Sequence, residues 1–179
     1  MGSIVNCSPY AKAFFYFARA NNSLDIVYKD ARTIENAIKG DIKFRNFIQD
    51  KFINSNDKLN VLKEIFSNVS PETLQLLKIL KNSHRLNHLH NILSGFINIY
   101  YKEKNITKVD ITFATQVDET IIETIKEKIT DNLKSEILAT VHIDEKILGG
   151  FIISFDSKIY NAGIANSLNL IKTKLLENS

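Results

Sequence analysis

The chain has 179 residues, of which 44% are hydrophobic and 24% charged, which excludes disorder along its whole length and leaves room for one large core or two compact domains. Its net charge of +3 is small and its lysines are interspersed with acids, so the basic footprint of a nucleic-acid-binding protein is missing and no nucleic-acid partner is expected. Only two prolines and six glycines interrupt a sequence rich in Ile, Leu, Asn and Lys, which predicts a mainly α protein.

The opening MGSIVNCSPY has neither a basic start nor an apolar core long enough for export, and Asn6 stands where a myristoylation motif requires Ser or Thr. Cys7, the only cysteine, allows no internal disulfide, no Cys-based zinc cage and no CxxC redox pair, so a reducing compartment fits. Ser8 followed by Pro9 is a helix opening, because the serine can cap free amides and proline at the first helical position gives up no needed donor. The helix that follows, YAKAFFYFARA, is apolar on nearly every side. Tyr10, Ala13, Phe14 and Phe17 form one stripe, and Ala11, Phe15 and Ala18 form another. A single core contact requires only one such face.

Ser23 is expected to cap a second helix carrying Val27, Ala31, Ile34 and Ile38, with Gly40 stopping it in a left-handed conformation. Shorter helices are predicted from Lys43 to Lys51, with Phe44, Phe47 and Ile48 inward, and from Asp57 to Phe66, with Leu59, Leu62, Ile65 and Phe66 inward. Ser70 and Pro71 repeat the opening device before ETLQLLKILKN. That helix is again apolar on two sides, with Leu74, Leu77 and Leu80 on one face and Leu76 and Ile79 beside it. A sixth helix carries Leu86, Leu89, Leu93, Phe96, Ile97 and Tyr100. Short loops between these elements predict a six-helix bundle over residues 1–104.

After a charged connector, Tyr101 to Asn105, the hydrophobic period changes to two. KVDITFAT sets Val109, Ile111 and Phe113 against Asp110 and Thr112, as a half-buried strand does. Asp118 is expected to cap a helix with Ile122, Ile125, Ile129 and Leu133 on one face. ILATVHI alternates through Ile137, Ala139, Val141 and Ile143. FIISF and KIY flank Asp156-Ser157 as a hairpin, and a last helix places Ile164, Leu168, Ile171 and Leu175 inward. Residues 105–179 therefore read as a small α+β domain in the order β, α, β, β, β, α. The longest apolar run, around Ile147 to Ile153, is far shorter than the roughly 20 residues that span a bilayer, so membrane association would go only through partners.

Candidate chemistry is sparse. Gly149-Gly150 lacks both the Lys-Ser/Thr of a Walker loop and the three glycines of a dinucleotide fingerprint, so the pair reads as a structural joint in a strand running from Ile147 to Phe155. His84 and His88 in HRLNHLH have the spacing of two metal ligands on one helix face, but Arg85 stands where a zinc protease has its glutamate and no third ligand is visible. The acidic pairs Asp118-Glu119 and Asp144-Glu145 sit at helix starts and turns, where capping accounts for them. Ser154 and Ser157 lack a nucleophile-elbow pattern. The residues thus offer no catalytic site, no cofactor and no metal. The alternative reading is a small metal- or nucleotide-dependent enzyme using the His84/His88 face or the glycine pair; an RNA-binding regulator is a third.

Three stretches together resemble the delta subunit of bacterial F-type ATP synthases, the family that includes the mitochondrial oligomycin-sensitivity-conferring protein. They are SPYAKAFFYFA from Ser8, LLKILKNSHRLNHLHNILSGF from Leu76 with Arg85 at the family arginine, and VHIDEKILGGFII from Val141. The likeness covers nearly the whole chain, with departures at Asn161, Gly163 and Asn166, where the family has Asp-x-Ser and a basic residue. The resemblance implies a helical N-terminal domain and a small C-terminal α/β domain. It also implies a non-catalytic part of the peripheral stalk that holds the head against rotor torque while proton flow drives ATP formation. The partners it implies are alpha-subunit N-terminal helices for the bundle and the ends of the stalk b subunits for the second domain. The place it implies is the cytoplasmic face of a bacterial inner membrane, or the matrix face in an organelle. Taken with the spare apolar surface, it makes Tyr10, Ala13, Phe14, Phe17, Leu76 and Ile79 the expected alpha-helix groove.

Overall fold

The computed structural model of the chain describes residues 8–147, 150–155 and 158–161. It divides into two compact units, Met1–Tyr101 and Lys102–Ser179. The first unit holds helices α1 (Ser8–Ala20), α2 (Leu24–Gly40), α3 (Ile42–Gln49), α4 (Ser55–Ile65) and α5 (Pro71–Asn82). A 3-10 turn, Leu86–His88, then leads into α6 (Leu89–Glu103). The helices close on a core in which Ile34, Ile38, Leu62, Leu77, Leu93 and Phe96 are fully buried. Burial of such side chains contributes roughly 1.5–3 kcal/mol each and is the main favourable term here.

Side chains close the ends of these helices where they meet. Ser70 caps α5 by accepting from the Thr73 amide, with Pro71 at the first position as the sequence predicts. The buried Lys58 ammonium donates to the carbonyls of Ile48 and Asp50 at the end of α3. Tyr28 stacks on Tyr100 at 4.0 Å between α2 and α6, and the Tyr100 hydroxyl donates to Asp25. Glu35 on α2 is 3% exposed, and its carboxylate accepts from Ser94 on α6 at 2.5 Å and pairs with Lys39 at 2.9 Å.

Several local expectations are corrected. The short helices run Ile42–Gln49 and Ser55–Ile65, and Ile65 is 54% exposed because it ends its helix outside the core. Ser23 stands before α2, but its hydroxyl turns back to donate to the Ala18 carbonyl. Gly40 is not left-handed, since Asp41 continues in extended backbone and caps α3 at once. The expected connector is helical through Glu103, with Tyr101 buried.

In the second unit β1 (Ile106–Phe113), α7 (Glu119–Leu133) and β2 (Glu136–Ile143) form a parallel crossover. β3 (Phe151–Phe155) pairs antiparallel with β1, and β4 (Lys158–Asn161) pairs antiparallel with β3, giving the order β2-β1-β3-β4. Val109, Ile111 and Phe113 face α7 and form the buried core with Ile129, as the alternation predicts. Ile122, Ile125, Leu133 and Ile137 pack around them, whereas Val141 and Ile143 at the far end of the edge strand β2 are exposed. Asp118 precedes α7 without a side-chain capping bond. The Asp156-Ser157 turn and the last helix with Ile164, Leu168, Ile171 and Leu175 lie outside the described residues, as do Cys7, Gly149, Gly163 and Asn166.

Candidate partner-binding groove

The two apolar stripes of α1 have different destinations. Ala11, Phe15 and Ala18 are turned inward and at most 2% exposed, with Phe15 against Phe96 at 6.2 Å. The other stripe opens into a groove of about 180 Å³, where Tyr10, Ala13, Phe14 and Phe17 meet Gln75, Leu76 and Ile79 of α5. Phe14 and Leu76, at 4% and 5% exposure, form its floor; Ala13 and Ile79 are exposed, and Tyr10 and Phe17 are half-buried along it. The structure therefore brings together all six residues that the spare apolar surface and the family resemblance singled out. Gln75 is the lining residue that apolar periodicity could not find, because it is polar and marked only by its place one turn before Ile79.

Four contacts set the groove's shape. Phe14 packs on Phe96 of α6 with centroids 4.9 Å apart, and a Cβ added at Gly95 would lie 3.0 Å from that of Ala11, so a glycine lets α1 approach α6 closely. On the other wall, one oxygen of Asp30 on α2 accepts from the Ser70 amide at 2.7 Å, the Ser70 hydroxyl at 2.6 Å and the Thr73 hydroxyl at 2.9 Å. A carboxylate at a helix N-terminus is favoured by the helix dipole, and this one anchors α5 to α2. At the rim, the Arg85 guanidinium lies 5.1 Å from the centre of the Tyr10 ring, within cation–π range.

The other candidates do not form sites. His84 lies in left-handed backbone before the 3-10 turn that holds His88, so the two share no helix face. Among the described residues no three His, Cys, Asp or Glu side chains come together as a metal requires. Gly150 has a φ of 81° and leads into strand β3, whereas a phosphate loop leads into a helix N-terminus. Its carbonyl accepts from the Ala114 amide at 3.3 Å. Of the strand expected over Ile147 to Phe155, Phe151–Phe155 is strand, whereas Ile147 lies in a turn, its amide donating to the Asp144 carbonyl at 3.1 Å; Leu148 and Gly149 lie outside the described residues. In the second unit Ile129, Leu133, Ile153, Phe155 and Tyr160 line an apolar cleft between α7 and the β3–β4 side of the sheet.

Residues 7–175 match the family model described as ATP synthase delta (OSCP) subunit. The ATP synthase subunit delta of Rickettsia peacockii is 31% identical over 173 residues, covering 94% of this chain and 92% of the relative. That of Prochlorococcus marinus is 29% identical over 167 residues, covering 90% of each. A chain in the cryo-EM structure of the Toxoplasma gondii mitochondrial ATP synthase hexamer shares the fold, with a TM-score of 0.77 at 21% identity over 96% of this chain and 98% of that one.

Proposed function

The chain belongs to the ATP synthase delta (OSCP) subunit family, and on that premise we propose how its two units divide the work of a peripheral-stalk subunit. It is a component of the peripheral stalk of an F-type ATP synthase, and its partners are other subunits of that complex. The first unit holds the amphipathic N-terminal helix of an alpha subunit in the α1–α5 groove, and the second unit holds the ends of the stalk b subunits. The protein makes and breaks no bonds. It keeps the catalytic head stationary while ion flow turns the rotor, from the cytoplasmic face of a bacterial inner membrane or the matrix face in an organelle. Attachment to the membrane runs through these partners; among the described residues no helix is long and apolar enough to cross a membrane.

The observation that carries this reading is the groove itself. It is a trough between two helices, with a buried floor and exposed apolar walls at Ala13 and Ile79. Such a surface buries the i, i+3, i+4, i+7 anchors of an amphipathic helix and offers no group to do chemistry on a small molecule. The test is calorimetric titration of the full-length chain with a peptide of the alpha-subunit N-terminus from the same complex. Binding that is abolished by Ile79→Asp, with the circular dichroism melt unchanged, is expected. A wild-type chain that does not bind the peptide, or an Ile79→Asp chain that binds it equally well, refutes the assignment.

A further inference from the structure

We propose that the α1–α5 groove selects the direction of the helix it holds, taking a carboxylate-bearing end over Tyr10 and a cationic end beside Glu72; this rests on the groove being the partner site proposed above. An apolar trough alone accepts an amphipathic helix in either direction. The two ends of this one differ in charge. Helix α5 serves as the ruler, because Gln75, Leu76 and Ile79 from its middle form one wall, and the charges stand beyond them at either end. Glu72 lies in its first turn, three, four and seven residues before Gln75, Leu76 and Ile79, and so shares their face. Arg85 follows the last residue of the helix, Asn82, by three positions, and its guanidinium lies over the ring of Tyr10. At about 1.5 Å per residue, α5 alone separates the two charges by roughly 15 Å, several turns of a docked helix.

Both side chains are half-buried, and among the described residues neither is in an ion pair. Packing on a ring face leaves the edge N–H groups of a guanidinium free to donate to a carboxylate. Lys78 stands midway along α5, exposed, and does not distinguish the ends. The occupant that fits is therefore a helix with one apolar face, acidic residues toward one end and basic residues toward the other.

The probe is a designed helical peptide with a uniform leucine face, glutamates in one half, lysines in the other, and a nitroxide on the acidic end. It is added to the full-length, isotope-labelled chain. Line broadening is expected to be stronger at the amides of Tyr10 and Arg85 than at those of Glu72 and Gln75. The double variant Glu72→Lys/Arg85→Glu should move the broadening to the residue 72 end. Glu72→Lys alone, which leaves the Tyr10–Arg85 contact intact, should weaken binding about fivefold at low salt, as expected for a rim charge turned from attraction to repulsion, and not in about 1 M salt. Broadening equal at both ends, or unmoved by the double variant, overturns the polarity while leaving the groove intact as a partner site. Failure of the wild-type chain to bind this peptide while it binds the alpha-subunit peptide also overturns it, whereas failure to bind either sinks the groove assignment itself.

Discussion

Glu35 and His90 tie the acid stability of the bundle to two side chains. Burial pushes the Glu35 carboxyl up, but the Ser94 hydroxyl and the Lys39 ammonium more than offset this and hold it below its ordinary value of 4.5. Burial pushes the His90 imidazole below its ordinary 6.5, Glu35 opposes this, Lys39 and Arg45 add to it, and the buried Nδ1 of His90 has no hydrogen-bond partner among the described residues. Both groups therefore bind protons more readily in the unfolded chain. The stability linked to His90 is present above pH 6.5 and is lost as pH falls below it; that linked to Glu35 is present above pH 4.5 and is lost as pH falls through its lower folded value. The melting temperature should fall between about pH 7 and 5, and His90→Gln should flatten that limb. A level wild-type profile there, or an unchanged slope in the variant, contradicts this account. Gly150 bears on the second unit in a similar way. At a φ of 81° a β-branched side chain is strained, so Gly150→Val should cost about 1–3 kcal/mol. Hydrogen exchange should speed up across β1 and β3 and stay unchanged in α1 to α6; uniform protection in both units means the glycine is dispensable.

At the scale of elements, the seat of α1 decides the groove. Valine at Gly95 would press its Cβ on Ala11, forcing α1 away from α6 and widening the trough that Phe14 floors. Gly95→Val should lower stability by roughly 1–3 kcal/mol, as overpacking does, and weaken alpha-peptide binding even at temperatures where the variant is folded. Unchanged affinity in the folded variant would show that the α1–α6 contact does not shape the site. Most elements are legible in the sequence because their causes are local. Ser70-Pro71 opens α5 as read, since a serine reaching its own backbone needs no distant partner. A serine without the proline misleads at Ser23, where only Asn21 and Asn22 separate it from α1 and the Ala18 carbonyl is near enough to take its hydroxyl. His84 and His88 look like a helix face only until the chain turns left-handed at His84. Val141 and Ile143 keep strand periodicity yet stay exposed, because they lie on an edge strand, and position in a sheet is not written in alternation.

For the whole molecule, the sequence shows that α1 and α5 each carry more apolar surface than one core face uses, but not that they lie side by side. Their adjacency depends on distant contacts such as Asp30 with Ser70 and Phe14 with Phe96, which no local pattern announces. The two units have separate cores, and we expect limited proteolysis to cut at the exposed turn of Lys104 and Asn105, where α6 has ended, and release a stable helical fragment. Cleavage inside both units before that segment would argue against independent domains. The central claim is that one chain joins head to stalk through two different surfaces, and pull-down from detergent-solubilised membranes with the tagged full-length chain tests it directly. The wild-type chain should recover both the catalytic head and the b subunits. Ala13→Asp sets an unpaired charge in the groove and should retain the b subunits while losing the head. Recovery of the head by Ala13→Asp at the wild-type level, or of no ATP synthase subunit by the wild-type chain, would contradict the account.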